Sequence, residues 1–279
     1  GDVFYKYFGL GLEGLKKKYK VVNTIHALKK GWIGIVSLKR IMRLSSVGVV
    51  HTDAIFNEVK DAGIENVVHI EYPHFSTGYE IDKAGARKYY DLSEDAFVLG
   101  CLGGTRYDKG LDILLKAMQG VTGDFELLVA GSEDAIKREK IEELARTYRD
   151  QVKLHLKFLT DEEYDIAIQA VDAIVLPYRK TFNGASGPLG EGVAKGKMII
   201  AANHGSLGDT VEKNHLGYTF ESENVEALSK VLNTVVQSCT FKYDTSALMY
   251  MNTISINTFR KKYRGIYRRY MNERARERK

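Results

Sequence analysis

Cysteine and proline are scarce in this chain: two and three in 279 residues. Cys101 and Cys239 are too few for a disulfide framework or a thiolate metal cluster. Cys101 falls in an apolar run that reads as a buried strand, consistent with a reducing cytoplasm. With so little proline, no low-complexity run and no tandem repeat, a solenoid or a disordered chain is disfavoured. No apolar run approaches the ~20 residues a spanning helix needs, and no secretory signal pattern is visible, so the expected location is cytoplasmic. The glycine loop at 103–110 is neither a Rossmann G-x-G-x-x-G nor a P-loop, the two most familiar nucleotide signatures.

What is present fits a globular α/β protein of one large or two ordinary domains, with 44% hydrophobic and 28% charged residues. The net charge of +5 is unevenly placed. Arg260 to Lys279 holds ten Lys or Arg against two acids, a balance of +8, so the other 259 residues sum to −3. A basic tail on a nearly neutral body argues against nucleic acid as the partner.

Short β-branched runs at Lys20–Ile25, Val47–His51 and Val67–Ile70 alternate with helical patterns around Ile35–Leu44 and Thr52–Ala62. They predict a small N-terminal α/β domain over residues 1–95. Three strands make it thin, and the chain starts at Gly1 without an initiator Met, so residues upstream are expected to be absent. From Phe97 the alternation becomes regular. Strands are predicted at Phe97–Leu102, Glu126–Ala130, Val152–Phe158, Ala173–Leu176, Met198–Ala201 and Gly217–Phe220. Helices are predicted at Leu111–Gln119, Asp134–Tyr148, Asp161–Ala170, from Pro188 to near Gly196, and at Asn224–Val236. Strands separated by helices imply βαβ units and a parallel doubly wound sheet over residues 96–252.

Such a sheet binds ligands outside the carboxyl ends of its strands. Those ends carry Gly103-Gly104-Thr105-Arg106-Tyr107-Asp108-Lys109-Gly110, then Gly131-Ser132, Phe158 to Asp161, and Pro177 to Lys180 running into the Ser186 loop. Ser186 followed by Gly187 and Pro188 reads as the cap and first turn of a helix, where free N–H groups and the dipole favour phosphate. Glu191, further along that helix, is suited to accept hydrogen bonds from sugar hydroxyls, or equally to sit solvated on the surface. A diphosphate-bearing ligand is the expectation. His26, where a strand empties into a loop, and His74 after Pro73 are either ligand groups or satisfied structural histidines. The final segment, Phe259–Met271, sets Phe259, Tyr263, Ile266, Tyr267 and Tyr270 at helical spacing among cations. It is either a helix packed on the protein or a basic amphipathic helix touching an anionic membrane.

Gly103–Gly110 and Asn183–Gly196 resemble the nucleotide-sugar site of family 4 glycosyltransferases, the retaining GT-B enzymes also called glycosyl transferases group 1. Residues from Phe97 to Val236 look like their donor domain throughout. Val67–Tyr79 is similar to the segment before the interdomain linker in a bacterial branch of the family. Residues 253–279 resemble the helix that crosses back to the N-terminal domain. The resemblance implies two Rossmann-like domains, the N-terminal one incomplete here. It assigns Arg106 and Lys109 to the donor diphosphate, with the backbone at Gly103, Gly104, Ser186 and Gly187. Glu191 matches the second glutamate of an E-x7-E motif and would hold the ribose. Gly131 and Phe158 would frame the base, and His26 would reach the transferred sugar. The first glutamate of that motif is Asn183 here, a donor-sugar contact of weaker charge.

The implied activity is that of a hexosyltransferase (EC 2.4 class) moving a hexose from a UDP- or GDP-sugar to a hydroxyl of a glycan or lipid-linked glycan, in polysaccharide or glycolipid synthesis. Front-face displacement is expected, with no metal and no cofactor beyond the nucleotide sugar. Peripheral contact with the inner face of the cell membrane through the basic C-terminal helix stays the alternative to packing of that helix on the protein. The alternative is a non-catalytic or partner-dependent nucleotide-sugar-binding subunit, inactive alone because the N-terminal domain is short.

Overall fold

The structure, a computed structural model, describes residues 13–28, 31–75, 78–238 and 240–277. Gly1, Cys239 and the last two cations of the basic tail lie outside the described residues. In chain order the first elements are β1 (Val22–Ile25), α1 (Trp32–Leu44), β2 (Val47–Val50), α2 (Asp53–Asp61) and β3 (Val67–His69). Then come α3 (Lys83–Tyr89), β4 (Phe97–Leu102), α4 (Leu111–Met118), β5 (Phe125–Ala130), α5 (Arg138–Leu144) and β6 (Val152–His155). They are followed by α6 (Asp161–Ala170), β7 (Ala173–Leu176), α7 (Gly187–Ala194), β8 (Met198–Ala202), α8 (Gly205–Lys213) and β9 (Gly217–Phe220). Three helices close the chain: α9 (Val225–Ser238), α10 (Thr245–Thr253) and α11 (Ile256–Glu277).

The chain forms two compact units. One comprises residues 1–73, 183–185 and 253–279; the other comprises 74–182 and 186–252. In the first, β1, β2 and β3 form a parallel sheet in that order. Ile25, Val50 and Val67 from the strands meet Leu38 and Met42 of α1 and Ile55 and Val59 of α2 in one core. Gly48 lets α1 close on β2, since a Cβ there would lie 2.5 Å from Met42 Cε. The Thr52 side chain caps α2 by accepting from Ile55 N–H. The aromatic stripe of α11 is used inside this unit. Tyr263 Oη lies 2.9 Å from Thr24 Oγ1, Tyr270 Oη donates to the Ser46 carbonyl at 3.0 Å, and the Phe259 ring sits 6.1 Å from that of His51.

The second unit holds six parallel strands in the order β6-β5-β4-β7-β8-β9. Strands β7 and β8 are buried along their whole length, as expected of parallel strands covered on both faces. The order reverses at β4, with β5 on one side and β7 on the other. That is the topological switch point where open α/β sheets open a crevice. At the opposite edge, buried Arg87 of α3 bonds Asp172 at 2.7 Å and the Ala170 carbonyl at 3.2 Å, while Asp172 also accepts from Val98 N–H. This network fastens residues upstream of 95 to the second sheet, so the contact boundary lies at Pro73.

Several predicted elements are shortened for identifiable reasons. The helix expected over 134–148 is reduced to α5, because the amides of Asp134 and Ile136 are drawn to Thr105 at 2.8 and 3.0 Å. The strand expected to reach Phe158 stops at His155, whose carbonyl accepts from both Gly131 and Lys157 N–H and turns the chain. Helices α3, α8 and α10 have no counterpart in the periodicity reading. Asp82 starts α3 as a side-chain cap on Gly85 N–H at 2.7 Å.

Candidate functional site

Beyond β4 and β5, the carboxyl ends are built from two glycines in left-handed backbone. Gly103 has φ 110° and Gly131 φ 148°, and a Cβ on Gly131 would sit 2.0 Å from the Gly103 carbonyl oxygen. Only side-chain-free residues allow this close approach. Thr105, buried, ties the two loops together: its N–H donates to Ser132 O at 3.0 Å and its hydroxyl to Ile136 O at 2.8 Å. The loops are therefore held open toward the crevice by backbone bonds, not by side chains filling it.

Arg106 and Lys109 follow in the same loop but differ in environment. Arg106 is half-exposed and pairs with Asp108, Nε to Oδ1 at 2.9 Å, and holds the Asp108 carboxyl below the usual range. Lys109 is turned inward. Its ammonium lies 3.8 Å from the centroid of the Tyr178 ring and 4.4 Å from that of Phe182. Burial, reinforced by the charge of Arg106, lowers its pKa to about 8. Two aromatic faces stabilise the cation without neutralising it, so its charge is left available to an anion.

Tyr178 links this cation to the next element. It is fully buried, and its hydroxyl lies 3.1 Å from Ser186 Oγ. Ser186 caps α7, accepting from Leu189 N–H at 3.3 Å, with Pro188 in the first turn. A Cβ on Gly187 would meet nothing within 4 Å, so the helix start faces open space. Lys109, Tyr178 and Ser186 thus place a desolvated cation and a capped helix N-terminus on neighbouring strand ends, β4 and β7. Helix N-termini favour anions through unsatisfied N–H groups and the dipole.

Glu191 lies deeper in α7 and is 7% exposed, so the solvated alternative is removed. Its Oε1 accepts from Phe75 N–H at 2.5 Å. Tyr164 of α6 lies in its field, and burial pushes that phenol well above its usual value. His74 beside this group is half-buried, and burial, with Lys195 nearby, lowers its pKa.

The residues singled out in sequence fall in both units. Gly103, Gly104, Arg106, Lys109, Gly131, Ser186, Gly187 and Glu191 belong to the second unit and its strand-end loops or α7. Phe158 stands three residues beyond β6 and is 86% exposed. Asn183 groups with the first unit, where its Nδ2 donates to Leu28 O at 2.9 Å. His26 also belongs there, exposed at the end of β1 with its ring 5.1 Å from that of His51. Cys101 is partly buried, and burial pushes its thiol up to about 12.

Two features were not visible in the sequence. Tyr178 and Phe182 flank Lys109, and Arg179 turns away from the crevice to bond Asp112 and the Tyr107 carbonyl. Tyr-Arg directly after a strand and Pro177 was the available signal. Among the described residues, Asp53, His69 and Glu71 of the first unit bring potential ligand atoms within 4.8 Å. His69 Nδ1 sits 2.8 Å from Asp53 Oδ1, an ordinary histidine–carboxylate contact that accounts for the grouping.

The chain is similar to the glycogen synthase of Rhodopseudomonas palustris (strain BisB18), 25% identical over 223 residues that make 76% of this chain and 44% of the relative. It therefore spans less than half the length of that relative. Among solved structures it resembles sucrose-phosphate synthase from Thermosynechococcus elongatus (TM-score 0.80, 17% identity, 95% of this chain and 72% of that one). It also resembles Anabaena HepE in complex with UDP and glucose (TM-score 0.74, 16% identity, 93% and 76%). These likenesses give the GT-B fold, with two parallel sheets of which the N-terminal one is small. Residues 82–243, more than half of the chain and nearly all of the six-stranded unit, match the model of one family, and the chain belongs to it: glycosyl transferases group 1.

Proposed function

We propose that this chain transfers a hexose from a nucleoside diphosphate sugar to a glycan hydroxyl with retention of configuration. The observation that carries the reading is the Lys109–Tyr178–Ser186 constellation at the switch point of the six-stranded sheet. In such a reaction negative charge grows on the leaving diphosphate as the glycosidic bond breaks. Arg106, Lys109 and the backbone at Gly103, Gly104, Ser186 and Gly187 would meet that charge with preorganised donors, usually the largest contribution to catalysis. Glu191 would accept from the ribose hydroxyls, and Gly131 and Phe158 would frame the base.

No carboxylate of the loop is placed as a covalent nucleophile. The reading is therefore front-face displacement, in which the leaving phosphate takes the proton of the incoming hydroxyl. The two cations would supply the charge neutralisation. His26 and Asn183 are assigned to the transferred sugar from the family resemblance alone. The complex of HepE with UDP and glucose supports uridine as the first base to test. A glycan or lipid-linked glycan is the acceptor class, and membrane contact through the cations of α11 belongs to the same proposal.

The test is a thermal-shift panel of UDP, GDP, ADP and their sugars on this chain and on Lys109→Ala. A nucleotide at about 100 times its Kd stabilises the fold by roughly 2.7 kcal/mol, a shift of several degrees. A shift with one nucleotide, lost in the variant, is expected. The absence of any shift would overturn the donor-site reading for this chain. Product formation from the binding donor then separates a transferase from a nucleotide-binding subunit.

A further inference from the structure

The short turn Tyr107–Lys109 carries an acid beside the two cations of the glycine loop. Asp108 meets Arg106 with both carboxylate oxygens: Nε donates to Oδ1 at 2.9 Å, and Nη2 donates to Oδ2. This parallel, two-bond geometry is also the one in which a guanidinium receives a phosphate. Asp108 lies in the field of Lys109 as well, and the charge of Arg106 reaches Lys109. The chain thus sets one carboxylate of its own against both cations of this strand end.

Two features make the Arg106–Asp108 pair exchangeable. The first is exposure: the Arg106 side chain is 53% exposed and that of Asp108 25%, whereas Arg179 in its pair with Asp112 is 9% exposed. A pair open to water contributes little net stability, because its partners are nearly as well solvated apart. A buried pair cannot open without stranding a charge. The second feature is a backbone held independently of the pair. The Asp108 carbonyl accepts from Arg179 N–H at 2.9 Å, Lys109 N–H donates to the Arg106 carbonyl at 3.0 Å, and left-handed Gly110 (φ 67°) closes the turn. Opening the pair therefore takes side-chain rotations alone, which are fast at exposed positions.

We infer that Asp108 is an internal stand-in for the donor diphosphate. It holds the Nε–Nη2 edge of Arg106 in the empty site, yields that edge when a nucleoside diphosphate binds, and speeds product release by taking it back. The inference rests on the donor-site reading above and adds to it a residue that governs release. Cleavage of the glycosidic bond turns a substituted phosphate oxygen into a terminal one, so the product carries more negative charge than the donor. Cations arranged to meet that developing charge also hold the product. A carboxylate that competes for one of them offsets this. Asp108 acts through Arg106 and is a positioning residue, since its own charge repels an anionic substrate.

The test is the dissociation of UDP, with GDP and ADP in parallel, measured by surface plasmon resonance on the immobilised full chain. Asp108→Asn should lower the release rate and the Kd by about two- to fivefold, the scale of an exposed ion pair, with little change in Tm. Asp108→Glu, which keeps a carboxylate, should restore fast release. In an Arg106→Ala background the same Asp108→Asn change should gain no more than Asp134→Asn, which removes an equal charge from the field of Arg106. An equal gain with and without Arg106 would make Asp108 a mere charge in the surroundings and overturn the inference. So would release from Asp108→Asn at or above the wild-type rate while Lys109→Ala still abolishes binding, a result that leaves the donor site standing. Failure of the wild-type chain to bind any of the three nucleotides would remove the donor-site reading and this inference together.

Discussion

Arg179 and Asp112 are joined by two parallel hydrogen bonds, Nη1 to Oδ1 at 3.0 Å and Nη2 to Oδ2 at 2.8 Å, in the second unit. The same guanidinium donates to the Tyr107 carbonyl at 2.6 Å and stacks 3.8 Å from the Tyr107 ring centroid. The pair thus clamps the short turn Tyr107–Lys109 to the start of α4, and with it the orientation of Lys109. Removing one partner of a buried pair strands the other charge, at a cost of about 3 kcal/mol. Arg179→Met and Asp112→Asn should each lower Tm. Their double variant should fall well short of the sum of the two in a denaturation cycle. Additive losses would mean the two side chains act separately.

Gly131 and Gly187 should respond in opposite ways to the same added methyl group. At Gly131 the left-handed φ and the 2.0 Å approach to Gly103 O leave no room, so Gly131→Ala should destabilise the second unit and abolish nucleotide binding. At Gly187 a Cβ meets nothing. Gly187→Ala should keep the wild-type Tm yet weaken UDP binding about tenfold or more, because the methyl would occupy the space of a phosphate at the helix start. Full affinity in Gly187→Ala would place the phosphate elsewhere.

The lowered pKa of Lys109 gives nucleotide binding a pH dependence. The free site loses its cation as pH rises through about 8, so diphosphate affinity should fall between pH 7 and 9 and binding should take up protons in that range. Isothermal titration in buffers of different ionisation enthalpy measures the uptake, and Lys109→Met should abolish it. Stability runs the other way. Burying the charged form costs about 3 kcal/mol below pH 8, and the cost is relieved as pH rises from about 8 toward the unfolded value of 10.5.

His51 should make the first unit acid-sensitive. It is buried, and its Nδ1 lies 2.8 Å from the Ile70 carbonyl oxygen. Burial, with the charges of His26 and His69 adding to it, holds its pKa below 6.5. The folded state therefore binds fewer protons than the unfolded one below that value. Stability should be level above pH 6.5 and decline as pH falls below it. His51→Gln, which cannot take up a proton, should flatten this slope in urea titrations; an unaltered slope would assign it to other groups.

The strands and the helix start at the candidate site were legible because their signals are local. The apolar runs Phe97–Leu102 and Ala173–Leu176 can only be satisfied by burial on both faces, and Ser186-Gly187-Pro188 can hardly read as anything but a helix cap. Glycines at 103 and 131 announced backbone that other residues resist. Where prediction overran the structure, a distant backbone group had intervened: Thr105 halted the helix before Arg138, and Gly131 ended β6 at His155.

Side-chain pairing was decided only by the fold. Lys109, Arg106 and Arg179 look alike in sequence, yet one is desolvated between Tyr178 and Phe182, one pairs with its neighbour Asp108, and one clamps a turn. The outward face of α1 was equally hidden. Its period marks Trp32 and Val36 as apolar without saying which face meets the sheet. Periodicity, caps and backbone-specific residues are properties of a short segment and can be read in it. Charge environment and exposure depend on what other segments bring within a few ångströms, and that is settled only when the sheets assemble.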